Sequence, residues 1–360
     1  MKTNIFATLL IFIFLVIFIL SCPAYAVEKN TRIVEDCYGR KVEIPAKVKK
    51  IVCLFSFSGH AAVMLGRGKD IVAVSNGIKR DTLLLTICPS LLEVAVPKYK
   101  GAINIEELVK TKPDLVFISG DIGRNVGEAE KLDRFKIPYL IVDYSTIKKQ
   151  QFAIAMIAEA LGIPERGDAY LDYYNQCIDL VEKRMKNISP DKKIRIFHSV
   201  LEPTRTDPKK SLTTDWIRKA NAISVSAERD LRLVDGEFYA GMEQILLWNP
   251  DMILVNEPSA HKFILKDVRW SAMKAVKNKK VFQMPIGISR WGHPGSIETP
   301  LAILWAAKTI YPERFQDIDI KSETRKYYKR FFDFELSNKL LEQILSGTKM
   351  RKKKQRQKNK

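Results

Sequence analysis

A chain of 360 residues is long enough for two domains, and a hydrophobic fraction of 46% excludes a disordered polypeptide. The formal charge of +19 would fit a nucleic-acid binder, but residues 349–360 alone hold eight Lys or Arg and no acid, so much of the excess sits at one end. Five Cys without a CxxC or Cys/His cluster speak against a structural zinc site.

The apolar run from Ile5 to Leu20, followed by Ala24-Tyr25-Ala26, has the pattern of a secretory signal peptide cut near Ala26. Ile19-Leu20-Ser21-Cys22 offers a second reading, a lipoprotein site with Cys22 lipidated, which Pro23 and the better Ala-x-Ala site disfavour. An uncleaved anchor is a third. All three put the body of the protein outside the cytoplasm, in the periplasm or its equivalent.

Arg32-Ile33-Val34-Glu35 and Lys41-Val42-Glu43-Ile44 flank Asp36-Cys37-Tyr38-Gly39-Arg40, a strand–turn–strand pattern. Lys50 to Phe55 reads as a buried strand with a helix after it near His60 to Leu65. Asp70 to Val74, Leu115 to Ile118 and Tyr139 to Val142 are further strands with helices between them. Such alternation predicts a mainly parallel sheet covered on both faces. Helical spacing then runs from Lys148 to Leu161 and from Glu165 to about Lys186, broken at Ile163-Pro164. Strand–helix alternation resumes with Ile194 to Val200, Met252 to Val255 and Val281 to Met284. The expected organisation is a signal peptide (1–26), an N-terminal α/β lobe (27–163), a connecting helix (164–188), a C-terminal α/β lobe (189–348) and a basic disordered tail (349–360).

An internal repeat supports two related lobes. Ile105-Glu106-Glu107-Leu108-Val109 followed by Lys112-Pro113-Asp114 and a strand matches Met242-Glu243-Gln244-Ile245-Leu246 followed by Asn249-Pro250-Asp251 and a strand. Each copy predicts a short helix with an exposed first-turn Glu, where the helix dipole favours it, and a Pro-Asp that ends the helix and launches a buried strand.

Ligands of open α/β sheets bind beyond the carboxyl ends of the strands, which selects loops. In the first lobe these are Ser56-Phe57-Ser58-Gly59-His60 and Ser119-Gly120-Asp121-Ile122-Gly123-Arg124. In the second they are Glu202-Pro203-Thr204-Arg205, Asn256-Glu257-Pro258 and Ile288-Ser289-Arg290-Trp291-Gly292-His293. The candidate ligand-binding residues are Ser58, His60, Arg124, Arg205, Arg290, Trp291 and His293. Arginines suit bidentate, charge-assisted bonds to an anion, and Trp291 suits an aromatic or macrocyclic face. His60 and His293, one per lobe, are the metal-facing candidates; His198 and His261 read as structural. Four His in the whole chain favour a chelated metal over a naked ion, which needs several convergent side chains. No GxGxxG follows the first strand, and no GxxxxGK[ST], HExxH or GxSxG is present, so an enzyme is a lesser reading, as is a sensor of the same fold.

These motifs together resemble the substrate-binding proteins of ABC importers for iron–siderophore, haem, cobalamin and related metal chelates. The likeness rests on Asp36-x-x-Gly39-Arg40-x-Val42-x-Ile44-Pro45, the two Glu…Pro-Asp copies and Val276-Lys277-Asn278 before Val281. It extends through Trp291-Gly292-His293-Pro294, Glu298-Thr299-Pro300 and Tyr311-Pro312-Glu313-Arg314-Phe315. The resemblance implies two Rossmann-like lobes joined by one long rigid helix, with the ligand cleft between them and only small closing motions. It implies a monomer without intrinsic cofactor or nucleic-acid partner that carries a chelated iron (Fe3+), siderophore-type, to the permease and its ATPase. Haem, cobalamin or a nickel or cobalt complex are alternatives. By position, Glu106 and Glu243 are the permease-docking residues.

Overall fold

The computed structural model of the chain describes residues 30–99, 101–348, 350 and 351. The expected signal peptide and nearly all of the basic tail lie outside them.

Two four-stranded parallel sheets form the lobes. In the first, Ile51–Cys53 lies between Ile71–Val74 and Leu115–Ser119, and Tyr139–Val142 completes the order. In the second, Arg195–Ser199 lies between Ile223–Ser224 and Met252–Val255, and Val281–Gln283 completes it. The strand order, second–first–third–fourth, is the same in both lobes. Every residue of Leu115–Ser119, Tyr139–Val142 and Met252–Val255 is buried. Continuous burial follows from helices on both faces of a parallel sheet and explains the unbroken apolar runs.

The repeat has one structural meaning in both lobes. The residues before Pro113 and Pro250, Lys112 and Asn249, take a left-handed conformation (φ 49° and 39°) that ends the short helix. Asp114 Oδ2 then accepts the backbone N–H of Lys49 (2.7 Å) and of Lys50 (2.9 Å). Asp251 Oδ2 likewise accepts the N–H of Arg195 (2.9 Å). In each lobe the Pro-Asp carboxylate thus clamps the start of the first strand to the start of the third. Glu106 and Glu243 are exposed in the helices Ile105–Lys110 and Met242–Trp248. Neither enters an ion pair among the described residues.

Between the lobes run two consecutive helices, Ile147–Ala160 and the 22-residue Pro164–Met185. Gly162 (φ 69°) closes the first and Pro164 opens the second. The long helix packs against Thr299–Ile310 of the second lobe. Buried polar bonds lock this frame: Gln150 Nε2 donates to the Ser296 carbonyl (3.0 Å), and Tyr174 Oη donates to Gln150 Oε1 (2.9 Å). One continuous apolar core extends from Val34 in the first lobe to Ile344 in the second. The fold is therefore a pair of α/β lobes fastened to a shared helical frame.

The opening hairpin, Thr31–Glu35 with Lys41–Pro45, is tied to the first lobe by Asp36. Its buried carboxylate accepts from Tyr38 N, Arg40 N, Arg40 Nε and Ile141 N at 2.9–3.1 Å. The cysteines at 37, 53, 88 and 177 are all free thiols, and burial pushes Cys53 up to about 12. No helix among the described residues is long and apolar enough to cross a membrane.

Candidate ligand-binding site

Charged groups from loops at the carboxyl ends of both sheets act on one another. Arg290 donates from Nε to Glu257 Oε2 (2.9 Å) and also from Nη2. Arg205 pairs with Glu237. Arg351 lies 2.5 Å from Asp81 Oδ1, and Asp81 Oδ2 is 2.7 Å from His60 Nε2. His293 feels three of these cations: burial, then Arg290, Arg205 and Arg351, lower it from 6.5 to about 3. The imidazole is neutral at any physiological pH because a further positive charge there would meet three guanidiniums in a poorly solvated place.

His293 Nδ1 accepts the Gly295 N–H at 3.0 Å. A ring nitrogen that accepts a hydrogen bond carries no proton, so the neutral ring holds its proton on Nε2 and offers an N–H donor. That arrangement suits an anionic oxygen better than a metal ion. His60 likewise directs its Nε2 proton to Asp81, and its Nδ1 is buried without a hydrogen-bond partner among the described residues. His60 therefore positions Asp81. No group of three or more His, Cys, Asp or Glu able to hold a metal occurs among the described residues.

The loop carrying Arg290 and His293 is built around Glu298, which the sequence marks as part of the Glu298-Thr299-Pro300 motif but not as a residue of the site. Its wholly buried carboxylate accepts from Ile288 N (2.9 Å), Ser289 N (2.9 Å), Ser289 Oγ (2.7 Å) and Tyr328 Oη. Burial raises its pKa despite these donors. Gly287 is required because a Cβ there would collide with Glu298 Oε1 and Tyr328 Oη. At Gly292 (φ 75°), a Cβ would come within 2.7 Å of Met284 and Trp216 side-chain carbons. The Gly292 carbonyl accepts from Trp216 Nε1 (3.0 Å) and Thr213 Oγ1 (3.1 Å), which fixes the turn between Arg290 and His293.

Of the expected site residues, Arg205, Arg290 and His293 come together. The other expectations resolve differently. Ser58 is buried, and its hydroxyl donates to the Phe55 carbonyl (2.7 Å) within its own helix turn. Trp291 is wholly buried in the main core, so it packs rather than presenting a face to a ligand. Arg124 is exposed at the outer edge of the first sheet, where it meets Tyr38 Oη (2.5 Å) and Asp143 (3.1 Å). His198 donates from Nδ1 to Asp207 (2.7 Å) inside the second lobe, as a structural histidine does. Asp81 and Arg351 escaped the sequence reading: one ends a loop without a motif, the other sits in a run of Lys and Arg.

The Periplasmic binding protein family matches residues 51–286. The chain belongs to that family. Molybdate-binding protein MolA of Haemophilus influenzae is 30% identical over 329 residues, covering 84% of this chain and 91% of MolA. The structure of MolA bound to molybdate superposes with a TM-score of 0.75 at 28% identity, over 85% of this chain and 99% of that one. Helicobacter pylori CeuE, in a complex with nickel and histidine, has the same fold, with a TM-score of 0.69 at 24% identity over 88% of this chain and 99% of its own. This protein is therefore a periplasmic binding protein of an ABC importer, and what it binds is carried as cargo.

Proposed function

We propose that the cargo is a small anion, a tetrahedral oxyanion of the molybdate class, held between Arg205, Arg290 and the Nε2 proton of His293. The observation that supports this reading most is the gathering of arginines around His293, whose pKa is lowered to about 3 first by burial and then by Arg290, Arg205 and Arg351. Among the described residues Arg205 and Arg290 each pair with one carboxylate only, and an anion between them gains attraction from both guanidiniums. Arg290 uses Nε and Nη2 on a single carboxylate oxygen, which leaves donors of its planar fork for a ligand oxygen. A molybdate-binding relative at 30% identity is consistent with the same class.

The expected ferric chelate is the second reading, because an anionic siderophore complex would meet the same cationic wall. Calorimetric titration of the mature chain with sodium molybdate, tungstate, sulfate, phosphate, a ferric siderophore, haemin and cobalamin separates the two. Saturable binding of molybdate is expected, weakened about 10–100-fold in Arg290→Ala, as loss of a charge-assisted hydrogen bond implies. A response to the ferric siderophore alone would replace the oxyanion with the chelate. In either case the loaded protein acts as a single chain that docks on the permease through Glu106 and Glu243.

A further inference from the structure

The helix Asn338–Leu345 belongs to the second lobe: the Ile344 carbonyl accepts the Ile286 N–H at 2.9 Å. Gly347 (φ 66°) turns the chain beside Met284, where a Cβ would lie 2.7 Å from the Met284 carbonyl oxygen. By residue 350 the chain is on the other lobe. Met350 is buried, and its carbonyl accepts the Thr82 N–H at 3.2 Å. Arg351 forms an antiparallel bridge with Asp81, and its side chain is only 16% exposed. The C-terminal segment thus crosses from the second lobe to the first, and the expected disordered tail is packed at these two residues.

Arg351 arrives among charges from both lobes. Asp81 and Arg80 act on it from the first, Glu257 and Arg290 from the second. Asp81 is nearly inaccessible and is held by His60 on its other oxygen. Arg351 makes one ion pair and its side chain makes no hydrogen bond among the described residues, although a guanidinium carries five N–H donors.

Resting on the anion reading above, we infer that Arg351 is a ligand-binding residue delivered across the cleft by the C-terminal segment. It supplies a guanidinium from the side opposite Arg205 and Arg290, with His60 and Asp81 as its positioning residues. A bound oxyanion is then held by donors from both lobes, and the end of the chain becomes a determinant of affinity.

The test is a molybdate titration of the mature chain and four variants. Removal of residues 352–360 should leave affinity unchanged. Removal of 349–360 and Arg351→Gln should each weaken it at least tenfold. Arg351→Lys should fall between, because a point charge keeps the attraction but lacks the fork. Circular dichroism checks the fold of each. If Arg351→Gln unfolds because Asp81 is left buried without its cation, the Asp81→Asn/Arg351→Gln double variant removes both charges and should fold yet bind weakly. Full affinity in a folded Arg351→Gln or double variant would overturn this inference and leave the oxyanion reading intact. A mature chain with native Arg351 that binds none of the tetrahedral oxyanions overturns both.

Discussion

His293 is held neutral by its neighbours, and the sign of the pH effect follows. Its pKa falls from 6.5 to about 3 on folding, so between those values the unfolded chain binds a proton that the folded chain refuses. Stability linked to this residue is fully present above about pH 6.5 and is lost as pH falls toward about 3. Denaturant midpoints near pH 7 and near pH 4.5 should therefore differ less in His293→Gln than in the native sequence; equal slopes would contradict the depressed pKa. At this scale the sequence was partly readable. The proximity of Arg205, Arg290 and His293 was legible because strand ends locate the loops that gather at one end of a sheet, whatever the loops contain. Glu298 was visible only as part of the Glu298-Thr299-Pro300 motif, because nothing in a sequence marks a carboxylate as buried and satisfied by backbone N–H groups. Trp291 misled because burial, which decides between packing and stacking, depends on neighbours distant in the chain.

Elements were legible where periodicity is strong. The long helix, the opening hairpin and the principal strands lie within a few residues of their expected bounds. The two-residue edge strand Ile223–Ser224 is too short to leave a pattern. The ribbon Arg232–Val234 with Glu237–Tyr239 did leave one, since Asp235-Gly236 is a two-residue hairpin turn with both φ positive (50° and 79°). The ribbon carries Glu237, the partner of Arg205. The Glu…Pro-Asp repeat shows best how element chemistry becomes visible. Its Pro and Asp serve the chain itself, one ending a helix and the other clamping a strand. Asp114→Ala should therefore destabilise the first lobe by about 1 kcal/mol, because the N–H groups of Lys49 and Lys50 are exposed enough for water to replace the carboxylate. Asp114→Asn, which keeps an acceptor, should cost less. Urea midpoints of the two variants check this; a larger loss in Asn than in Ala would reject the clamp.

At the scale of the whole molecule, one strand order used twice places the two repeat glutamates at equivalent points of two lobes that share a rigid frame. A permease that reads both at once gains from their fixed separation, since the second contact forms at high effective concentration once the first is made. The exposed Leu247 lies one helical turn beyond Glu243 and presents an apolar side chain on the same face. Neither glutamate belongs to the Arg205–Arg290–His293 cluster, so docking and cargo binding should separate cleanly by mutation. Glu106→Lys or Glu243→Lys alone should lower uptake of the cargo in cells, and the pair should abolish it, because a reversed charge repels the permease as well as losing attraction. Affinity for molybdate, measured on the purified variants, should stay at the native value. Uptake that survives the double reversal would mean that the importer reads another surface, and a parallel loss of affinity would mean that the glutamates support the cleft.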